Sequence, residues 1–211
     1  MTTTRSGPRT VPYFSQYQSP HLVQEIAVGT KSAADDPRWA RSGATSLEEY
    51  AFWAPRACGV ACLRMALGFW RQGPPPAAMP LVRELLDAGA YVLNEAGTAT
   101  VGGLIYQPFA DYATTRWGLG ARVDTDLAKD VIRKEIGNGA LAVLSVHKSI
   151  RILDPAPPTR GGHLVLAVDA DERTITVHNP SGLPKVSQIH RVEWAAFYRF
   201  YAGRGVILTP H

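Results

Sequence analysis

The apolar positions along the chain fall into two rhythms. Between Gly59 and Arg71, Val60, Leu63, Leu67 and Trp70 recur at three- and four-residue steps, which marks one helical face. The GPPP run at 73–76 ends that helix. A second helix is predicted over 80–88, PLVRELLDA, with Pro80 in its opening turn. The clearest helix covers 125–139, TDLAKDVIRKEIGNG. Thr125 or Asp126 can cap it, Leu127, Val131 and Ile136 share one side, and Gly-Asn-Gly stops it. Three β-like runs come next, at 140–146, 163–170 and 174–179, the last two joined as a hairpin by DADER. Aromatic-rich VEWAAFYRFY (192–201) and GVILTP (205–210) close the chain. Helices first and antiparallel strands afterwards predict an α+β fold, with the helix that begins near residue 59 packed against the sheet.

Other stretches are less regular. VPYFSQYQ (11–18) alternates enough for a short strand or an extended arm, and residues 1–10 read as a flexible tail. Within 19–49, GTKSAADDPRW has the composition of a surface loop, and Thr45 or Ser46 can cap a short turn before Tyr50. The span 94–123 is rich in Gly, Thr and aromatics with no period, which suits either a wall over a site or a connecting loop.

Length, composition and charge narrow the class. A chain of 211 residues fits one large domain or two small ones and is long enough to bury a sizeable core. With 45% hydrophobic and 19% charged residues it reads as a soluble globular protein. The net charge of +4 is mild and no basic block interleaves with aromatics, which argues against nucleic acid as a partner. The N-terminus lacks the apolar core of a secretory signal, and no apolar run is long enough to span a bilayer, so a cytoplasmic protein without a membrane partner is expected.

Cys58 stands directly after an Ala-Pro-Arg-Ala turn and before Gly59. Packing, a disulfide, a metal ligand and a nucleophile are the possible roles. Cys62 is four residues away on the same predicted helix, where Cβ directions disfavour a disulfide, and a reducing compartment keeps thiols free. A structural zinc site wants four ligands at paired spacings, and no second pair exists, so neither metal nor cofactor is expected. A helix N-terminus stabilises a thiolate, which gives Cys58 the placement of a nucleophile and leaves Cys62 a packing role. The base is sought among the histidines. His163 follows RGG and opens a strand, and Asn179 in HNPSG ends the return strand of the same hairpin. The two are predicted as cross-strand neighbours, with the amide oxygen of Asn179 fixing the imidazole tautomer. Strand alternation turns His178 away from that face.

Cysteine at a helix start, then GGH opening a strand, then Asn before P-x-G resembles the papain-like cysteine peptidase superfamily. The chain is most similar to the bacteriocin-processing, double-glycine-leader peptidases and their free-standing relatives. The resemblance implies a papain-like α+β fold over 11–211, with 19–49 as an insertion. It also implies that Cys58 attacks a carbonyl, His163 moves the proton and Asn179 orients His163. The family's VPYxSQ segment supplies an oxyanion-hole glutamine, which VPYFSQ places at Gln16. Two departures stand out: CGVAC lacks the proline usual after C-G, and Asp is commoner than Asn at the 179 position.

The implied reaction runs through a thioester on a peptide, amide or other acyl substrate, followed by hydrolysis or transfer. Two alternatives stay open. One is a biosynthetic cyclase acting on a small molecule, in which Cys58 and His163 serve only as acid and base. The other is a catalytically dead binding module, against which the intact Cys–His–Asn set speaks. A peptidase calls for an open groove and a cyclase for a closed apolar pocket. Phe14, Trp53, Tyr106, Phe109 and Trp117 supply apolar surface that favours the closed form, with Trp53 and Tyr106 the candidates to touch substrate, although core packing accounts for them equally well.

Overall fold

The computed structural model describes residues 10–71, 73–94 and 102–210. All of the tail expected at 1–10 except Thr10, and part of the 94–123 span, lie outside the described residues.

The helices come first: α1 (Val23–Ala27), α2 (Leu47–Trp53), α3 (Cys58–Trp70), α4 (Ala78–Asp87) and α5 (Tyr106–Trp117). The sheet follows, with β1 (Gly120–Asp124), α6 (Lys129–Gly137), β2 (Leu141–Val146), β3 (His163–Ala170), β4 (Thr174–His178), β5 (Ile189–Glu193), α7 (Trp194–Phe197) and β6 (Tyr201–Thr209). The six strands run in the order β1-β6-β2-β3-β4-β5, and every neighbouring pair is antiparallel. This is the α+β architecture that the pattern of apolar positions predicts.

Strand alternation divides the core into two layers. On β2, Leu141 and Val143 join the helical layer with α3, α4 and α5, whereas Ala142, Leu144 and Val146 face the layer built on α6 and α7. Covering both faces explains why β2 is buried throughout rather than alternating apolar and polar. Helix α3 is likewise buried almost all round from Cys58 to Leu67, as a helix pressed between a sheet and other helices must be. Its one basic residue, Arg64, leaves that core by stacking its guanidinium on the Phe14 ring, 4.5 Å from the centroid, and donating to the Pro76 carbonyl at 2.7 Å.

Two expectations are corrected, and of the two alternatives for 11–18 one is realised. The segment 94–123 holds a helix and a strand: Phe109, Ala110, Tyr112 and Ala113 bury one side of α5, and Gly118 at φ 66° ends it. The sparse apolar pattern hides this helix because only tertiary packing gives its small residues a buried face. Helix α6 starts at Lys129 with no side-chain cap. The preceding residues are held by β6 instead: the Leu127 amide donates to Gly203 at 2.7 Å, and the Tyr201 hydroxyl donates to the Leu127 carbonyl. Residues 11–18 form an extended arm and not a strand.

Candidate active site

The turn before α3 is built by α2 and a short 3-10 helix, Ala54–Arg56. Ser46 caps α2 by accepting the Glu49 amide at 3.2 Å, as its position predicts. Cys58 is then the first residue of α3 and is buried. Gly59 is required by close approach: a Cβ there would stand 2.6 Å from Leu104 Cδ2 and 3.1 Å from Leu164 Cδ1. That absence of a side chain lets β3 lie against the start of α3, which brings the Leu164 backbone close enough to the Cys58 thiol to favour its charged form.

His163 is delivered by the two glycines before it. Gly161 and Gly162 hold φ of 90° and 87°, values that L side chains rarely adopt, so a turn this sharp at the mouth of β3 needs glycine. On the partner strand the pairing ends at Leu166–His178. The chain then folds through Asn179-Pro180-Ser181-Gly182, closed by the Gly182 amide donating to the Asn179 carbonyl at 2.8 Å. Asn179 therefore meets His163 through its side chain from this turn. The Asn179 Oδ1 accepts the Ser181 amide at 3.1 Å, which identifies that atom as the amide oxygen. His163 Nε2 lies 2.8 Å from the same oxygen, so Nε2 carries the proton and Nδ1 keeps a lone pair.

The arm at 11–18 is stitched to this turn. The Gln16 amide and the Ser15 hydroxyl both donate to the Pro180 carbonyl, and the Tyr13 hydroxyl donates to the Asn179 carbonyl. Gln16 Nε2 donates to Ala54 O at 2.9 Å, and Gln16 lines one cavity together with His163. The intervening 19–49 segment is anchored by buried Asp36, which accepts from the Ser19 amide and the Tyr50 hydroxyl, while the Tyr50 hydroxyl accepts the Gln18 amide. Chain that leaves at Ser19 thus returns at Tyr50 beside its starting point.

The structure brings together Gln16, His163 and Asn179, and it places Cys58 near Leu164, the residue that follows His163. Among the described residues no hydrogen bond joins the thiol to the imidazole itself. Trp53 and Tyr106 do not line the cavity beside His163. Trp53 packs in the helical core with Phe52 and Tyr91, and Tyr106 opens α5 against that core. His178 sits near the Tyr13 ring, and His147 is taken up by Ser149.

The electrostatics correct one further expectation. Burial pushes the Cys58 thiol pKa up, against hydrogen bonds from the Leu164, Gly59 and Cys58 amides and the nearby charge of Arg151. A helix terminus is worth about 0.3–1 kcal/mol, less than one pKa unit, whereas full burial moves a group by up to about 3–5 units. Burial also lowers His163 to about 4; the hydrogen bond to Asn179 opposes this, and Arg151 and His147 add to it. Thiol and imidazole are therefore both neutral at pH 7.

Two residues of the site carry no clear mark in the sequence pattern. Ser181, fully buried, places its hydroxyl 3.1 Å from His163 Nε2. Arg151, at the end of a short 3-10 helix, donates to the Ser181 carbonyl at 2.7 Å and to its hydroxyl at 3.1 and 2.7 Å. Ser181 stands inside the HNPSG motif, which is the one signal that could have pointed to it, whereas HKSIR carries no sign that its arginine turns inward.

The fold has counterparts among known proteins. The fold matches the peptidase domain of Streptococcus ComA, a bi-functional ABC transporter involved in a quorum-sensing pathway, at 16% identity, over 74% of this chain and 93% of that one, with a TM-score of 0.50. It also matches a C39-like protein from Bacillus anthracis at 15% identity, over 74% and 90% of the two chains, with a TM-score of 0.53. No curated protein matches. Residues 9–206 match the Peptidase_C39 like family, and on that match the chain belongs to this family of papain-like cysteine peptidases.

Proposed function

We propose that this protein is a cysteine-dependent hydrolase or acyl transferase that opens a peptide or amide bond through a thioester on Cys58. The observation that carries the reading is the hydrogen bond from His163 Nε2 to Asn179 Oδ1, with Cys58 opening the helix that packs against the same strand. In this reading His163 Nδ1 takes the thiol proton as sulfur attacks the carbonyl carbon. The second Nε2 hydrogen of Gln16 and the Cys58 amide receive the developing oxyanion, and loss of such a donor costs on the order of 10²–10³ in rate. The imidazolium then returns its proton to the leaving nitrogen, and water or another nucleophile cleaves the thioester.

A second reading, acid–base cyclisation without a covalent step, draws on the neutral thiol–imidazole pair. One experiment separates the two. The protein is incubated with a peptide library that includes double-glycine sequences, and with biosynthetic acyl substrates, and followed by intact mass. The thioester reading expects an acyl adduct on Cys58 and no turnover by Cys58→Ala. Turnover by Cys58→Ala without any adduct overturns it in favour of acid–base chemistry. His163→Ala loses activity in either case.

A further inference from the structure

A cavity of about 430 Å³ opens beside His163. Its polar wall carries Gln16, Tyr17, Lys148 and Arg151, and Val23, Ile26 and Pro55 contribute apolar surface. Lys31 also reaches it but is already paired with Glu25 at 2.9 Å. Arg151 is different. Its Nε and Nη2 donate to one neutral residue, Ser181, and among the described residues no carboxylate pairs with it. Among the described residues no hydrogen bond engages Nη1, and Arg151 lines the cavity. A half-buried guanidinium held rigidly by its far edge, with an open edge facing a cavity, is prepared for a carboxylate.

The side of the site follows from chemistry. The imidazole delivers a proton to the departing nitrogen, so a cavity lined by His163 lies on the leaving-group side. We infer that Arg151, with Lys148 at the rim, is a specificity determinant that binds a carboxylate on the leaving group, whose apolar part lodges against Val23, Ile26 and Pro55. This deepens the thiol-enzyme reading and rests on it only for naming the leaving-group side. The carboxylate is either the terminus of a short departing peptide or an acidic side chain close to the scissile bond. Each provides the same planar acceptor.

Binding of product-like probes tests this without turnover. Alanyl-leucine carries a terminal carboxylate, alanyl-leucinamide none, and alanyl-aspartic acid α-amide only a side-chain carboxylate. Each is titrated into Cys58→Ala protein labelled on histidine, with the His163 imidazole signal as readout. Carboxylate probes are expected to bind about ten-fold or more tighter than the neutral amide. Which of the two carboxylate probes binds tighter identifies the source. Arg151→Met is expected to erase the preference and Arg151→Lys to keep part of it. The preference in the parent protein is expected to weaken with added salt, a response that a purely Ser181-holding arginine would not give. Equal binding of carboxylate and amide probes, binding of none, or an unchanged preference in a folded Arg151→Met overturns the inference. If Arg151→Met does not fold, the amide comparison and Arg151→Lys still decide. Because the protein used has no thiol at position 58, failure here leaves the thioester reading standing, and failure of the thioester test leaves this binding result intact.

Discussion

Replacing Asn179 by Asp should convert the neutral thiol–imidazole pair into one that ionises near neutral pH. The geometry favours the exchange. Asn179 Oδ1 already accepts from both His163 and Ser181, whereas Asn179 Nδ2 is buried with no hydrogen-bond partner. An oxygen in place of that nitrogen breaks no existing bond. A full negative charge about 4 Å from the imidazolium, at an effective dielectric of about 20, favours protonation by about 4 kcal/mol, or about three pKa units. Desolvation of the new carboxylate and attraction to Arg151 reduce the gain, so a rise of about one to three units from the starting value of about 4 is expected. The assay is NMR titration of histidine-labelled protein, with the alkylation rate of Cys58 as a second readout. An imidazolium beside the thiol stabilises thiolate, so alkylation near pH 7 should quicken as the His163 midpoint rises. A His163 midpoint that moves by less than about one unit, or moves down, in a folded Asn179→Asp refutes the argument that a neutral orienter keeps the pair uncharged.

Other consequences are open to measurement. Brief iodoacetamide treatment with peptide mapping should label Cys58 and spare Cys62, which is fully buried and has its thiol pushed up further by burial and by Cys58. Because the Cys58 pKa is raised, its labelling should keep accelerating as pH climbs past 9; equal labelling of both cysteines would refute the assignment. Burial holds His163 and His178 neutral with pKa values of about 4, below the usual value near 6.5. A depressed histidine pKa means that the unfolded chain binds the extra proton, so stability is full above about pH 6.5 and falls as pH drops toward 4. Urea midpoints at pH 7.5 and 5 should differ by the equivalent of about 3–4 kcal/mol, and equal midpoints would contradict buried neutral histidines. Tyr50→Phe strands Asp36 and the Gln18 amide without their shared hydroxyl. It should cost about 1–3 kcal/mol and lower Tm by roughly 2–12 °C in a differential scan.

Local periodicity is enough to place α3, α4 and most of the sheet, because those elements take their apolar faces from residues close in sequence. Local pattern puts His163 and Asn179 on the same hairpin, but the pairing ends at Leu166–His178, and it is the turn beyond it that carries the Asn179 side chain to the imidazole. Cys58 at a helix start and Gln16 in VPYFSQ are likewise legible, the first from local pattern and the second from resemblance. What the pattern cannot hold is whatever depends on contacts between distant segments. Helix α5 takes its buried side from α4 and β1, and residues 11–18 become an anchored arm only because Pro180 and Asn179 offer carbonyls. The charge state of the site is the strongest case. A helix N-terminus alone predicts a thiolate, but burial under β3 outweighs it, and burial is a property of the packed molecule. Arg151 shows the same limit: nothing in HKSIR distinguishes it from a solvated base, and only the turn at Ser181 draws its guanidinium inward to stand beside the imidazole.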